Sequence, residues 1–272
     1  MMIATPFALF MRRELPSRQM LILTLISLLP SGIYLIVRIA GHGLQFFETA
    51  GAPLIIHGPM TIIPIFFSVA AFHEDFEQRT IVYLLTRPPS RTAYVIAKFL
   101  SAWLCAFIAV GVGIVVLGLL SMWGRWQNTD YYFSLIGKLL FTSLLGTGVY
   151  TGLFLIFGLW LKNPVIFGLI FTAGWEWIAG NIPGKLQFWT ASLYPKCLFI
   201  ELADADPSAF FPEAEPSVPI GGSLLPAAAR RVVMLAPDLP SPSATQCVIT
   251  MIGIIIGAFV VASYLFRNRE DA

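Results

Sequence analysis

Two runs of this 272-residue chain, 93–123 and 131–161, each continue for 31 residues with one charged side chain apiece, Lys98 and Lys138. At 1.5 Å rise per residue a helix of that length reaches about 46 Å, well beyond a hydrocarbon core of about 30 Å. Such helices tilt or project beyond the bilayer. The two lysines stand near one end, where a long aliphatic stem lets an ammonium snorkel to water.

Four more runs read the same way. Residues 20–37 are uncharged and bracketed by Arg18 and Arg38; 54–72 are interrupted by His57, Pro59 and Pro64; 164–180 are marginal in length and contain Glu176; 248–266 are clean. Six spans are therefore predicted. The bulk numbers agree, since 57% hydrophobic residues and a mean hydropathy of +0.78 exceed the roughly 45–50% apolar share of soluble domains. The fold class is an all-α integral membrane protein, one domain over 1–272. Arg12 and Arg13 follow apolar residues instead of preceding them, and no small-residue cleavage site follows, so the first span is expected to stay as an anchor.

Six spans put both termini on one side. With the termini in the cytoplasm, the inner segments carry Arg12, Arg13, Arg18, Arg79, Arg87, Arg91, Lys98, Lys162, Arg267 and Arg269, ten of the seventeen basic residues. Four of the other seven lie in the long stretch 181–246, and long loops contribute little to the positive-inside rule. Short loops thus divide ten against three, which fixes the orientation and predicts a multi-pass protein of a prokaryotic inner membrane. Stretch 181–246 becomes extracytoplasmic. Its beginning mixes aromatics with apolar residues and suits the membrane interface, while the remainder is Pro-rich, the whole stretch holding ten of the nineteen prolines.

Several chemistries fail on spacing. "HEDFE" at 73 begins like a zinc helix, but its fifth position is Glu77 where a second histidine is required. "GGSLL" at 221 lacks the last glycine of a nucleophile elbow, and "GNIPGKL" at 180 lacks the length and hydroxyl of a phosphate-binding loop. Cys105, Cys197 and Cys247 show no paired spacing, which leaves a Cys197–Cys247 disulfide open and argues for no metal. No basic stripe stands outside the membrane flanks, so nucleic acid is not an expected partner.

What remains is polar residues in particular places. Phe7, Phe10, Met11 and Leu15 recur at helical spacing with Arg12, Arg13 and Arg18 elsewhere, predicting an amphipathic helix within 1–19 on the inner leaflet. "GVYTG" at 148 and "GIIIG" at 253 permit close helix approach, either inside the chain or against a second one. Glu176, between Trp175 and Trp177, is either a functional carboxylate at membrane depth or a hydrated residue among anchoring tryptophans. The densest feature is 73–91, where His73, Glu74, Asp75, Glu77, Arg79, Arg87 and Arg91 fall within nineteen positions of a chain only 12% charged. A helix is expected there from Glu74 through Thr86, with Phe76, Thr80, Tyr83 and Leu84 along one side, Pro88 and Pro89 ending it, and Ser90 capping the next helix. A solvated loop whose charges only set topology is the alternative.

Stretch 73–91 resembles the signature of ABC-2 type transporter permeases: an acidic cluster, then T-x-x-x-L-L-x-x-P-x-S-R, then a lysine seven residues on. Thr80, Leu84, Leu85, Pro88, Ser90, Arg91 and Lys98 match in register, with Glu77 in the acidic part; Arg79 and Ala97 stand where glycine is usual. "WEWIAGNIPGKLQFWTAS" is similar to the family's acidic-aromatic end of span five and the interfacial segment after it. The resemblance implies a half-transporter and partners of four kinds: cytoplasmic ABC ATPase subunits, a second permease chain as homodimer or heterodimer, membrane lipid, and in a mechanical or assembly complex a periplasmic partner. It implies an exporter with no cofactor of its own, ATP and Mg being bound by the ATPase, and no catalysis in this chain. A membrane-embedded enzyme would need converging polar side chains within the spans, of which Glu176 is the one candidate. The family's coupling helix maps onto Glu74, Asp75, Phe76, Glu77, Arg79, Thr80, Tyr83, Leu84, Arg87 and Arg91, and Glu176 becomes a candidate for the transport pathway or its gate.

Overall fold

The computed structural model describes residues 4–39, 47–77, 91–123, 129–161, 163–180, 185–205, 209–210 and 242–269. All regular structure among them is helical. In chain order these are α1 (Ala4–Glu14), α2 (Arg18–Ser27), α3 (Leu29–Ile39), a π turn (Phe47–Gly51), α4 (Ala52–His57), α5 (Pro59–Glu77), α6 (Arg91–Met122) and α7 (Thr129–Trp160). Then come α8 (Pro164–Ile170), which runs into a π-helical stretch (Phe171–Ala179), a 3-10 turn (Lys185–Trp189), α9 (Leu193–Ala203) and α10 (Ala244–Arg269).

Among the described residues, five helical segments are long and apolar enough to cross a membrane: Arg18–Ile39, Thr49–Ala71, Thr92–Met122, Thr129–Trp160 and Ala244–Arg267. The sixth expected span is the apolar helix Pro164–Ala179, which is too short to qualify on length. Its sixteen residues reach about 24 Å as α-helix.

Proline accounts for the interruptions of the first two spans. Pro30 has no N–H to continue the α2 ladder, and the chain turns at Leu28 before α3 begins. Gly58 likewise separates α4 from α5, whose first residue is Pro59. The Thr61 hydroxyl donates to the His57 carbonyl at 2.7 Å across that break, satisfying an acceptor the helix has released.

The centre of the bundle is α7, which packs against α5, α6 and α10. Small residues set the spacing there. Gly148 and Gly152 of "GVYTG" lie against Trp103, Ile255 and Ala258, so this motif serves packing inside the chain. By contrast, Gly253 and Gly257 of "GIIIG" meet no neighbouring atom of the described chain. The first span is held to α6 by hydroxyls: Ser27 Oγ donates to the Ala109 carbonyl at 2.7 Å and Ser31 Oγ to the Gly113 carbonyl at 3.4 Å. At the far end of the same pair Arg38 donates to the Tyr34 hydroxyl and to the carbonyls of Leu120 and Trp123. Its positive charge thereby caps the C-terminus of α6, where freed carbonyls collect.

Helix α1 forms where the amphipathic pattern predicts. Phe10 is buried against α6 while Arg12 and Arg13 face outward. Lys98 departs from its expected snorkelling position, because α1 covers it: its ammonium lies 4.9 Å from the Phe10 ring centre and 5.6 Å from that of Tyr94, and the side chain is buried. Cys105, Cys197 and Cys247 are buried thiols and form no disulfide.

Candidate functional site

Glu176 sits in the π-helical stretch Phe171–Ala179, whose wider winding is rare beyond a single turn and is often found at functional sites. Its neighbours Trp175 and Trp177 point outward and are exposed, whereas Glu176 points inward and is only 4% exposed. The hydrated, interfacial alternative for this residue is therefore wrong. The two tryptophans flank it on either side of the helix and stay exposed, while the residue between them turns into the protein.

Three donors satisfy the carboxylate. The Tyr150 hydroxyl donates to Oε2 at 3.2 Å, the Ser192 backbone N–H to Oε2 at 2.8 Å, and the Ala191 backbone N–H to Oε1 at 3.0 Å. Ala191 and Ser192 immediately precede α9, so Glu176 caps that helix from another element. A negative charge there meets both unsatisfied N–H groups and the positive end of the helix dipole. Hydrogen bonds to an ionised acceptor are about twice as strong as neutral ones.

One turn into α9 lies Lys196, 1% exposed. Burial pushes its pKa down to about 8, and the nearby Glu176 charge works against that fall. The ammonium approaches the backbone at Gly180, where an added Cβ would lie 3.8 Å from Nζ, 3.0 Å from Ser192 Oγ and 3.9 Å from Thr190 Oγ1. His57, at the end of α4, completes the group: it is close enough for Lys196 to act on it electrostatically, and its Nδ1 lies 2.9 Å from the Pro53 carbonyl. A ring nitrogen facing a carbonyl carries the proton, which leaves Nε2 as the basic position. Two further buried oxygens of this region, Thr172 Oγ1 and Gln187 Oε1, have no hydrogen-bond partner among the described residues. Glu176, Lys196, His57 and Tyr150 thus converge from four elements.

Sequence reasoning selected Glu176 alone of this group. Lys196 and Tyr150 were legible only as a lysine in the apolar segment "LYPKCLFIELA" and a tyrosine in the middle of a span. His57 carries no signal in the sequence beyond interrupting the second apolar run.

The other predicted site residues divide at Glu77. Glu74, Asp75, Phe76 and Glu77 form the last turn of α5, continuous with the second span. The expected separate helix from Glu74 therefore does not start there, since no proline or glycine interrupts the ladder after Pro64. Arg79, Thr80, Tyr83, Leu84 and Arg87 lie outside the described residues, as does most of the 203–243 stretch, and Arg91 is the first residue of α6. Among the described residues no group of His, Cys, Asp and Glu is placed to hold a metal ion.

Residues 11–173 match the family model described as ABC-2 family transporter protein. No curated protein matches the chain significantly. The matched region runs from α1 into the π-helical stretch. It includes the whole of 73–91 and stops just short of Glu176.

Proposed function

Because the chain belongs to the ABC-2 transporter family, we propose that it is the transmembrane permease subunit of an exporter driven by separate cytoplasmic ATPase chains. Those chains bind ATP and Mg; this one supplies the pathway together with a second permease copy or a paralogue. Helix Pro164–Ala179 with Gly180 serves as the short fifth of six spans, both termini lie in the cytoplasm, and the protein resides in a prokaryotic inner membrane.

The observation that carries this reading is the family match over 11–173, which contains the entire charged stretch. That stretch joins α5 to α6, two of the helices packed on the central α7. Since Glu74 to Glu77 are the last turn of α5 itself, a push on the acidic turn is a push on the span. Charges of both signs at a moving, wet interface set orientation and partner choice more than affinity, and Phe76, Tyr83 and Leu84 supply apolar anchors.

The test is Asp75→Lys combined with Glu77→Lys. Added positive charge on the cytoplasmic side reinforces the orientation, so membrane insertion stays normal. Docking against a basic groove meets like charge, a cost of several kcal/mol or on the order of a hundredfold in affinity. Pull-down through a tag on the permease, in detergent at low salt, should lose the ATPase from the double variant and retain it with the control Arg269→Ala. Full recovery of the ATPase would remove the docking role of 73–91.

A further inference from the structure

The buried cluster around Glu176 joins segments that are distant in the chain. Glu176 belongs to the stretch after α8, Tyr150 to the central helix, Ala191 and Ser192 to the turn before α9, and Lys196 to α9. These groups are withdrawn from water, as Glu176, Tyr150, Ala191, Ser192 and Lys196 are each buried, and the Glu176 charge acts on Lys196. A buried ammonium and a buried carboxylate each carry a large desolvation cost, which only a nearby opposite charge and hydrogen bonds repay. Parting them without water entering is therefore expensive, and parting them with water entering opens the protein at that point.

We propose that Lys196 is the counter-charge of Glu176 and that the two form an extracytoplasmic latch, closed in this structure, which separates when the permease opens outward. The proposal rests on the exporter reading above for its direction and on the buried geometry for its existence.

A mechanical route to the latch is present. His57 ends α4, the helix against which α9 packs, and feels the Lys196 charge; after the Gly58 break α5 begins and runs nineteen residues to Glu77. That rod of about 28 Å has the latch at one end and the acidic turn at the other. Helix α9 also packs on α4 directly. Displacement of the acidic turn is thus delivered at His57, at the end of the helix that α9 packs against. The charged and titratable groups facing Lys196 are Glu176 from the π-helical stretch, His57 from α4 and Cys197 from α9 itself, with Tyr150 of α7 bonded to Glu176.

The experiment uses the full chain in spheroplasts and in vesicles that retain the copurifying ATPase. Ala191→Cys places a reporter thiol on the turn that Glu176 holds, keeping the backbone N–H that makes the bond; the probe is a membrane-impermeant maleimide added from the extracytoplasmic side. In the parent background the buried reporter should label slowly. Lys196→Met, close in volume but uncharged, and Glu176→Gln should each accelerate labelling about tenfold, equivalent to roughly 1.4 kcal/mol of lost closure. Combining the two should give no more than the faster single, because either change alone removes the pair.

Labelling at the parent rate in both variants overturns the latch. So does a double variant whose acceleration is the product of the singles, since the residues would then act independently. A second reporter, Ser121→Cys, buried at the Arg38 end of α6, separates opening from general loosening: it should stay protected, and its exposure in Lys196→Met would also overturn the proposal. ATP tests the exporter reading separately. It should accelerate the Ala191→Cys reporter in the parent complex; a latch that responds to the variants but not to ATP stands as a latch and removes the ATP-driven role.

Discussion

Tyr150 and Glu176, 26 residues apart in the chain, meet through a 3.2 Å hydrogen bond from the phenol to Oε2, deep in the protein. The same oxygen accepts from the Ser192 N–H, so a single carboxylate fastens the middle of α7 to the start of α9.

Removing members of this junction should therefore have unequal costs. Tyr150→Phe deletes one donor and leaves Glu176 with two, at a cost of roughly 1.5–3 kcal/mol for a bond to a charged group. Glu176→Ala leaves the Ala191 and Ser192 N–H groups buried without acceptors, each worth roughly 1–3 kcal/mol. Thermal unfolding of the detergent-purified permease should rank the alanine variant below the phenylalanine variant, and the reverse order would contradict the bonding described.

Lys196 predicts a pH effect of definite sign. Its pKa falls on folding from 10.5 to about 8, so the unfolded chain binds the proton more tightly. Stability from this group accordingly rises with pH between about 8 and 10.5 and is flat below that window. The melting temperature of the wild type should gain over Lys196→Met as pH is raised from 8 to 10; parallel curves would show that the amine is not desolvated.

Glu14 predicts the opposite trend at the other end of the fold. It is buried at the end of α1 with Oε2 unpartnered among the described residues, and burial raises its pKa above 4.5 in spite of Arg13 and Lys98 nearby. A carboxyl with a raised folded pKa contributes stability that is complete below its unfolded value and is lost as pH rises through the folded one. Glu14→Gln should abolish that loss, making the variant at least as stable as wild type at pH 7 while the two diverge less at pH 4. Strong destabilisation at pH 7 would mean that the charged form is held by a partner.

Close packing of the first span on α6 should show as a glycine effect. A methyl on Gly113 would overlap the Ser27 backbone carbonyl, whereas one on Gly137 meets no atom of the described residues. Gly113→Ala should lower the unfolding temperature markedly and reduce yield in the membrane. Gly137→Ala should be neutral or favourable by about 1 kcal/mol through helix propensity. Equal behaviour of the pair would refute the close approach.

The long helices were legible because length and apolarity are local sums: four of the expected spans recur within a few residues of their predicted ends, and α1 takes its place from the spacing of Phe10 and Met11 against Arg12 and Arg13. The second span also recurs, but its helix continues through Glu74 to Glu77, because charge does not stop a helix where proline or glycine is missing. Lys98 was misjudged for a related reason. A lone sequence shows a lysine near a span's end and not the helix, α1, that folds over it.

By itself the sequence determined that the chain is a helical membrane protein, that its dense charge falls between the second and third long spans, and that Glu176 is an unusual carboxylate. Only the tertiary structure decided which groups Glu176 meets. Its three donors come from positions 150, 191 and 192, and Lys196 and His57 arrive from two further elements. Hydrophobic length is read one residue at a time along the chain, whereas the satisfaction of a buried charge depends on which distant groups the packing brings to it, and no local pattern encodes that choice.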